Sequence, residues 1–424
     1  MRETKNQKAW KEIDKHLNLI EKIEEQGIYK ISSTEIKDIS NREPRLMAKF
    51  DHSENRPEIF KENDISILPV ARKDYVLLKF NSYCEVKYSD KNRMIDSSII
   101  DDYETIDLKS ITSEDNAIVI SDISKMLSEF LDDEIKFTAR GKFGTDDFKF
   151  KVKTFDRDRE ITVSKTGAEL DAGFEGDQFY IVEAKIGKVN DFNIRQLYYP
   201  YRHWMSRINK NVIPVFFSYS DGVFSFWKFE FVEYDNFNSI VLLSRANFLF
   251  QEEIQPIPDE ILDIKDFLPI DPASIPFPQA DDFEKVINIM ELVKSDVNSK
   301  EDFADYFSFD PRQADYYYNA AKYLELVTKE KGIVCLTELG EELVKLPRSK
   351  RHEGLIRQIF KHKVFYDSFN ALKSGDESIE AITEIMRKNS VLNGGTESTL
   401  RRRASTILSW CRWIEEKIEE SKRV

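Results

Sequence analysis

The stretch that most restricts the fold is ELDAGFEGDQFYIVEAK, residues 169–185. Two apolar-rich runs flank a polar turn around Glu175–Gln178, the pattern of a β-hairpin. Directly opposed strand residues share a face, and so do residues two apart on one strand. Pairing Asp171 with Glu183 therefore puts Asp171, Glu183 and Lys185 on one face and sets Glu169 opposite Lys185. The register needs an odd number of loop residues, since a slip of one residue separates the carboxylates.

Such a face has a chemical use. Opposed carboxylates about 4–5 Å apart repel unless a cation lies between them. Hard oxygen ligands favour Mg²⁺, and the Ala184 carbonyl could add a ligand to Asp171 and Glu183. A lysine beside the metal, Lys185, could orient the metal-bound water or stabilise a charged transition state. The competing reading is a solvated edge, because Glu-x-Lys on a strand is ordinarily a weak surface ion pair. The apolar run FYIV leading into Glu183 argues against it, because buried strand ends seldom carry three charges without cause.

The surrounding pattern is an α/β unit over 148–232. Strand-like segments at 147–154, 168–174 and 179–185 precede a helix over about 191–208, with Asp191 as its N-cap. Strands at 212–219 and 223–231 follow, joined by an Asp221-Gly222 turn. Upstream, an amphipathic helix over 5–26 stops at Gly27, strands occupy 64–70 and 74–80, and a helix covers 118–135. Segment 251–282 contains six prolines and many acids and reads as a linker. The expected organisation is an N-terminal recognition or support region over 1–112, a core over 113–250, a Pro-rich linker over 251–281 and a mainly helical domain over 282–424.

ELDAGF followed by FYIVEAK resembles the PD-(D/E)xK nuclease superfamily, which includes most type II restriction endonucleases. Asp171 matches its first acid, and Glu183 and Lys185 match its (D/E)xK pair; Leu170 stands where the family often has Pro. The resemblance implies a restriction-endonuclease-like α/β (α+β) core, Mg²⁺-dependent phosphodiester hydrolysis and a cognate DNA methyltransferase in the same system. Many members carry a Gln and a Tyr on the next helix. Gln196 is similar, with Tyr199 or Tyr201 as the tyrosine, though Pro200 interrupts the usual spacing. Arg195 and Arg202 on that helix are candidate DNA-backbone contacts, and Leu197, Tyr201, Trp204 and Ile208 form its core stripe. Some members add an acid from the preceding helix, for which Glu129 is the candidate; Glu169 is another.

Residues 298–346 read as a winged helix, with VTKEKGIVCLT as the wing. Its second helix, starting at Pro311, would present Arg312, Gln313, Tyr316 and Asn319 to bases. The tail STLRRRASTILSWCRWIEE offers Arg401 and Arg402 to phosphates, while Ile407, Trp410 and Ile414 form a core stripe. That tail, and the run IFKENDISILPVARKDYVLLKF, are similar to segments of many restriction endonucleases.

The net charge of −14 opposes nucleic-acid binding by the molecule as a whole, but a nuclease needs only one basic channel. Cys84, Cys335 and Cys411 show no metal or disulfide spacing, which fits a reducing cytoplasm. No apolar run approaches the roughly 20 residues of a membrane helix. The expectation is thus a site-specific double-strand endonuclease, acting as a homodimer because two copies of one site cut a duplex symmetrically. The alternatives are a repair, junction-resolving or modification-dependent nuclease, or a winged-helix DNA-binding regulator on an inactive nuclease fold.

Overall fold

The computed structural model describes residues 5–100, 103–106, 108, 111, 113–251, 255–264, 266–268, 275–294, 297–299, 303, 311–392 and 395–422, without the side chains of 311–313. The chain is mixed α/β and ends in a helical region. It divides into two compact units: residues 1–93, 117–219 and 224–248, and residues 94–116, 220–223 and 249–424.

The first unit opens with α1 (Lys5–Leu17) and α2 (Leu19–Gln26). One helix was expected here, but Asn18 takes a left-handed φ of 50° and breaks it, while Gly27 ends it as expected. There follow β1 (Tyr29–Ser32), α3 (Ser33–Ser40), α4 (Pro44–Ala48), α5 (Glu58–Glu62), β2 (Ile65–Ala71) and β3 (Asp74–Lys79). A Ser32/Glu35 capping box starts α3, and the strands pair antiparallel in the order β1-β3-β2. Next come β4 (Tyr83–Glu85), β5 (Asn92–Ile95), α6 (Glu114–Ile123) and α7 (Met126–Leu131). The single helix expected over 118–135 is likewise split, at left-handed Lys125.

The remaining elements are β6 (Lys136–Gly144), β7 (Phe148–Lys153), β8 (Asp158–Val163), β9 (Gly167–Glu175), β10 (Phe179–Ile186), β11 (Asp191–Asn193), α8 (Arg195–Met205), β12 (Val212–Ser220), β13 (Val223–Phe231) and β14 (Ile240–Phe250). Seven strands form one sheet in the order β5-β14-β13-β12-β10-β9-β6. β10 runs antiparallel to β9 and parallel to β12, so α8 lies on a crossover. β10 is buried on both faces until Lys185, as a central strand must be.

The N-terminal strands share a core with this sheet. Leu68, Val70 and Leu78 pack in one cluster with Phe150, Ile161, Leu170 and Tyr199. Ala71 also bridges Ser164. Residues before 94 therefore form one unit with 117–219 and 224–248.

The second unit contains α9 (Phe283–Lys294), α10 (Pro311–Tyr323), β15 (Val327–Glu330), β16 (Ile333–Leu336), α11 (Glu338–Val344), α12 (Arg348–Phe360), α13 (Lys363–Lys373), α14 (Ile379–Lys388) and α15 (Glu397–Ser421). β15 and β16 pair antiparallel around Lys331 and Gly332, both at positive φ, as a type I′ hairpin turn requires. Ile407, Trp410 and Ile414 are fully buried. Ile257, Ile261, Phe277 and Ala280, from the segment expected to be a linker, are buried in the same cluster. Among the described residues no helix is long and apolar enough to cross a membrane.

Candidate active site

The β9–β10 ladder runs from Glu175↔Phe179 to Ala172↔Val182 around the three-residue loop Gly176–Gln178. Continuing that register sets Asp171 opposite Glu183. The ladder stops there, and β9 continues alone with β6, pairing Glu169 with Lys142. On its other side β10 keeps its parallel partner through Glu183↔Phe216 and Lys185↔Ser218. The site therefore lies where two antiparallel strands part and a third stays paired.

In the opening, the Asp171 side chain replaces the lost ladder bond. The Ala184 N–H donates to Asp171 Oδ2 at 2.9 Å. The Lys185 ammonium donates to the Ala184 carbonyl at 2.8 Å and to Glu183 Oε1. From α8, Gln196 Nε2 donates to the same Glu183 oxygen. The Glu183 and Lys185 side chains are 9% and 14% exposed, so this ion pair is shielded from water. Shielding strengthens the charge–charge interaction and makes an unpaired group costly. Gln196 Oε1 is buried and accepts no hydrogen bond among the described residues. Asp171, Glu183, Ala184, Lys185 and Gln196 are thus brought together, as the sequence led us to expect.

Several other candidates lie elsewhere. Glu129 is exposed on α7 and pairs with Arg93 at 3.3 Å. Glu169 is exposed and lies 3.5 Å from Lys142, because β9 has parted from β10 at that point. Arg202 is buried: it donates to the Lys149 carbonyl and the Tyr198 hydroxyl, each at 2.9 Å, and its guanidinium lies 4.0 Å from the centre of the Tyr234 ring. A phosphate cannot reach it. Tyr199 is fully buried and donates to the Pro69 carbonyl, while Tyr201 packs on Phe231, so neither partners Gln196. Arg195 stays half-buried at the start of α8.

Asp191 is not an N-cap. It lies in β11, paired with β4, and accepts from the Ser53 N–H and hydroxyl. Burial opposes its ionisation, but the bonds from His52 and Ser53 hold its carboxyl below the usual range.

In the second unit, Tyr316 and Asn319 are half-buried on α10, while the Arg312 and Gln313 side chains lie outside the described residues. Arg401 pairs with Glu380, and Arg403 donates to Gln279. Arg402 is exposed, with no hydrogen bond or ion pair among the described residues.

Asp51 was not foreseen. Its backbone carbonyl accepts the Asn193 N–H at 2.9 Å, which brings it beside the Lys185–α8 connection. Burial opposes its charge, yet Lys185, Lys49, Arg195 and His52 together lower its pKa. Nothing local in KFDHSEN signals this, because the partners lie far along the chain. Among the described residues, no three or more His, Cys, Asp or Glu side chains group to hold a metal ion.

Three family profiles match the chain. Domain of unknown function (DUF6996) covers residues 7–77, domain of unknown function (DUF6997) residues 78–249, and domain of unknown function (DUF7226) residues 285–419. No curated protein and no solved structure matches the chain.

Proposed function

We propose that this chain is a Mg²⁺-dependent, site-specific endonuclease of double-stranded DNA, of the type II restriction kind, with a PD-(D/E)xK core. The observation that carries the reading is the convergence on Ala184: Asp171 accepts its N–H, and Lys185 bridges its carbonyl to Glu183. The topology supports it, since the two acids sit at the parting of β9 from β10 and α8 crosses to the parallel strand β12.

The donor set fits a hard divalent cation. Asp171, Glu183 and the Ala184 carbonyl supply only oxygens, and the Lys185 ammonium already occupies two of them as a cation. Those three residues would hold Mg²⁺. A bound divalent ion supplies an activated water and charge neutralisation at a phosphate. Lys185 would then donate to the attacking water or to a non-bridging phosphate oxygen. Gln196 steadies Glu183 through Nε2 and orients a water through its buried Oε1.

Arg195 would meet the DNA backbone near the site. The winged region would present Arg312, Gln313, Tyr316 and Asn319 to bases, and Arg402 would meet phosphate. The working form would be a cytoplasmic homodimer beside a cognate DNA methyltransferase.

The test is digestion of unmethylated phage DNA with Mg²⁺ or with a chelator. Discrete fragments only with Mg²⁺ support the reading. Failure to cut both unmethylated and methylated DNA contradicts it and favours the DNA-binding regulator.

A further inference from the structure

The Lys185 ammonium sits on Glu183 Oε1 and the Ala184 carbonyl, two oxygens that the proposed function assigns to a divalent cation. Two cations cannot share those oxygens, because their repulsion is strong in a shielded site. Lys185 must therefore have a second place to go, with an acceptor and a countercharge. The inference rests on the divalent-cation reading of this site.

The surroundings of Lys185 contain such a place. Asp51 has an Oδ1 atom closed to water that accepts no hydrogen bond among the described residues. Its side chain is 13% exposed, and its nearest ion pair is the exposed Lys49 at 3.3 Å. A buried carboxylate oxygen without a donor is costly, and native folds rarely keep one without a use. Burial opposes the charge of this carboxylate, and Lys185, ahead of Lys49, Arg195 and His52, lowers its pKa.

The backbone holds Asp51 in place independently of its side chain. The Asn193 N–H donates to the Asp51 carbonyl at 2.9 Å, and Asn193 Nδ2 donates to the Phe50 carbonyl at 3.2 Å. The Ser53 N–H donates to Asp191 Oδ1 at 3.0 Å. The segment 50–53 is thus stitched to β11, the strand between Lys185 and α8. Gln196, which donates to the same Glu183 oxygen as Lys185, also has a buried Oε1 that accepts no hydrogen bond among the described residues.

We propose that Asp51 is a positioning residue that receives the Lys185 ammonium when a divalent cation takes Glu183 and the Ala184 carbonyl. Lys185 is then held beside the reacting phosphate rather than expelled into water. Its charge remains compensated in both arrangements, first by Glu183 and then by Asp51.

A double-mutant cycle tests this by metal affinity rather than by turnover. Mn²⁺ binding would be measured from the signal of free Mn²⁺ in the full chain, with Asp51→Asn and Lys185→Met singly and together. If Asp51 acts through Lys185, Asp51→Asn weakens Mn²⁺ binding about fivefold or more with Lys185 present, and has almost no effect in Lys185→Met. Equal weakening in both backgrounds overturns the inference, because Asp51 would then act on the metal directly. No weakening in either background overturns it as well. Asp51→Ala provides a second probe, since the backbone bonds to Asn193 do not involve the carboxylate. Asp171→Asn distinguishes the underlying reading: if wild type binds no Mn²⁺, or Asp171→Asn binds it unchanged, the metal site itself is wrong and the inference falls with it.

Discussion

Glu183 receives donors from its own strand and from α8, so its carboxylate is held from two directions before any ligand arrives. Under the proposed function such preorganisation would spare the site a reorganisation at the moment of reaction. Arg202 shows the opposite case, a charge used for structure. Its guanidinium lies against Tyr234 and donates to a backbone carbonyl and a tyrosine hydroxyl. Arg202→Ala is expected to cost about 2–3 kcal/mol of stability while leaving DNA affinity unchanged below the melting range. Denaturant unfolding and binding titrations check this; lost affinity with unchanged stability would contradict it. The difference between Glu183 and Arg202 was only half legible in the sequence. A strand's period of two places Asp171, Glu183 and Lys185 on one face without further knowledge. A helix with aromatic residues on most sides does not reveal which of its arginines points inward. Asp51 could not be read at all, because its neighbours are set by non-local packing.

At the scale of elements, everything depends on the β9–β10 register. Asp133 braces the turn: its Oδ2 accepts from the Asp177 N–H at 2.9 Å and the Tyr180 hydroxyl at 2.8 Å. Gly173 permits close packing beneath it, since an added Cβ would lie 2.9 Å from Phe179 and 3.0 Å from Ala139. Asp133→Ala removes both bonds and is expected to lower stability by about 1–2 kcal/mol, with faster amide exchange along β10. Unchanged exchange at Tyr180–Val182 would show that the turn is set by other contacts. The hairpin and the Asp221-Gly222 turn were legible because their signals are local. β6 was not anticipated, for its residues are mostly exposed on both faces and carry no apolar alternation. The start of α8 was placed too early because Asp191 serves a short strand instead of a helix end.

At the scale of the whole molecule, acid should unfold the chain through a buried charge network in the second unit. Asp221 lies 3.2 Å from Arg348, 3.0 Å from Arg351 and 2.6 Å from His352, all nearly inaccessible. Burial and Arg348 push the His352 pKa down from 6.5 to about 4, against the pull of Asp221. A base with a depressed folded pKa is neutral in the fold, so its contribution is present above about 6.5 and is lost as pH falls toward about 4. That loss is on the order of 3 kcal/mol. Glu420 opposes burial through Arg348 and Lys417 and is held at about 2; Asp221 is lowered as well. Their contributions, present above the ordinary carboxylate values, are lost as pH falls below those values. The Tm should thus fall between pH 6.5 and 4, and less steeply in His352→Gln; a flat profile would contradict the role of the network. The helical character of this region was legible from its periodicity. The network was not, since it joins residues far apart in sequence. Net charge bears little on the proposed function for a related reason: the −14 is a sum over the chain, and a catalytic site of the proposed kind would depend on a few groups.

The most direct test of the central claim compares wild type with Lys185→Ala on one DNA fragment carrying a mapped cleavage site, in Mg²⁺, with binding measured in Ca²⁺. The account predicts cleavage lowered by about 10²–10³-fold or more, with affinity for the fragment largely kept. Cleavage at the wild-type rate by Lys185→Ala would contradict it and remove the Asp171, Glu183 and Lys185 site as the place of reaction.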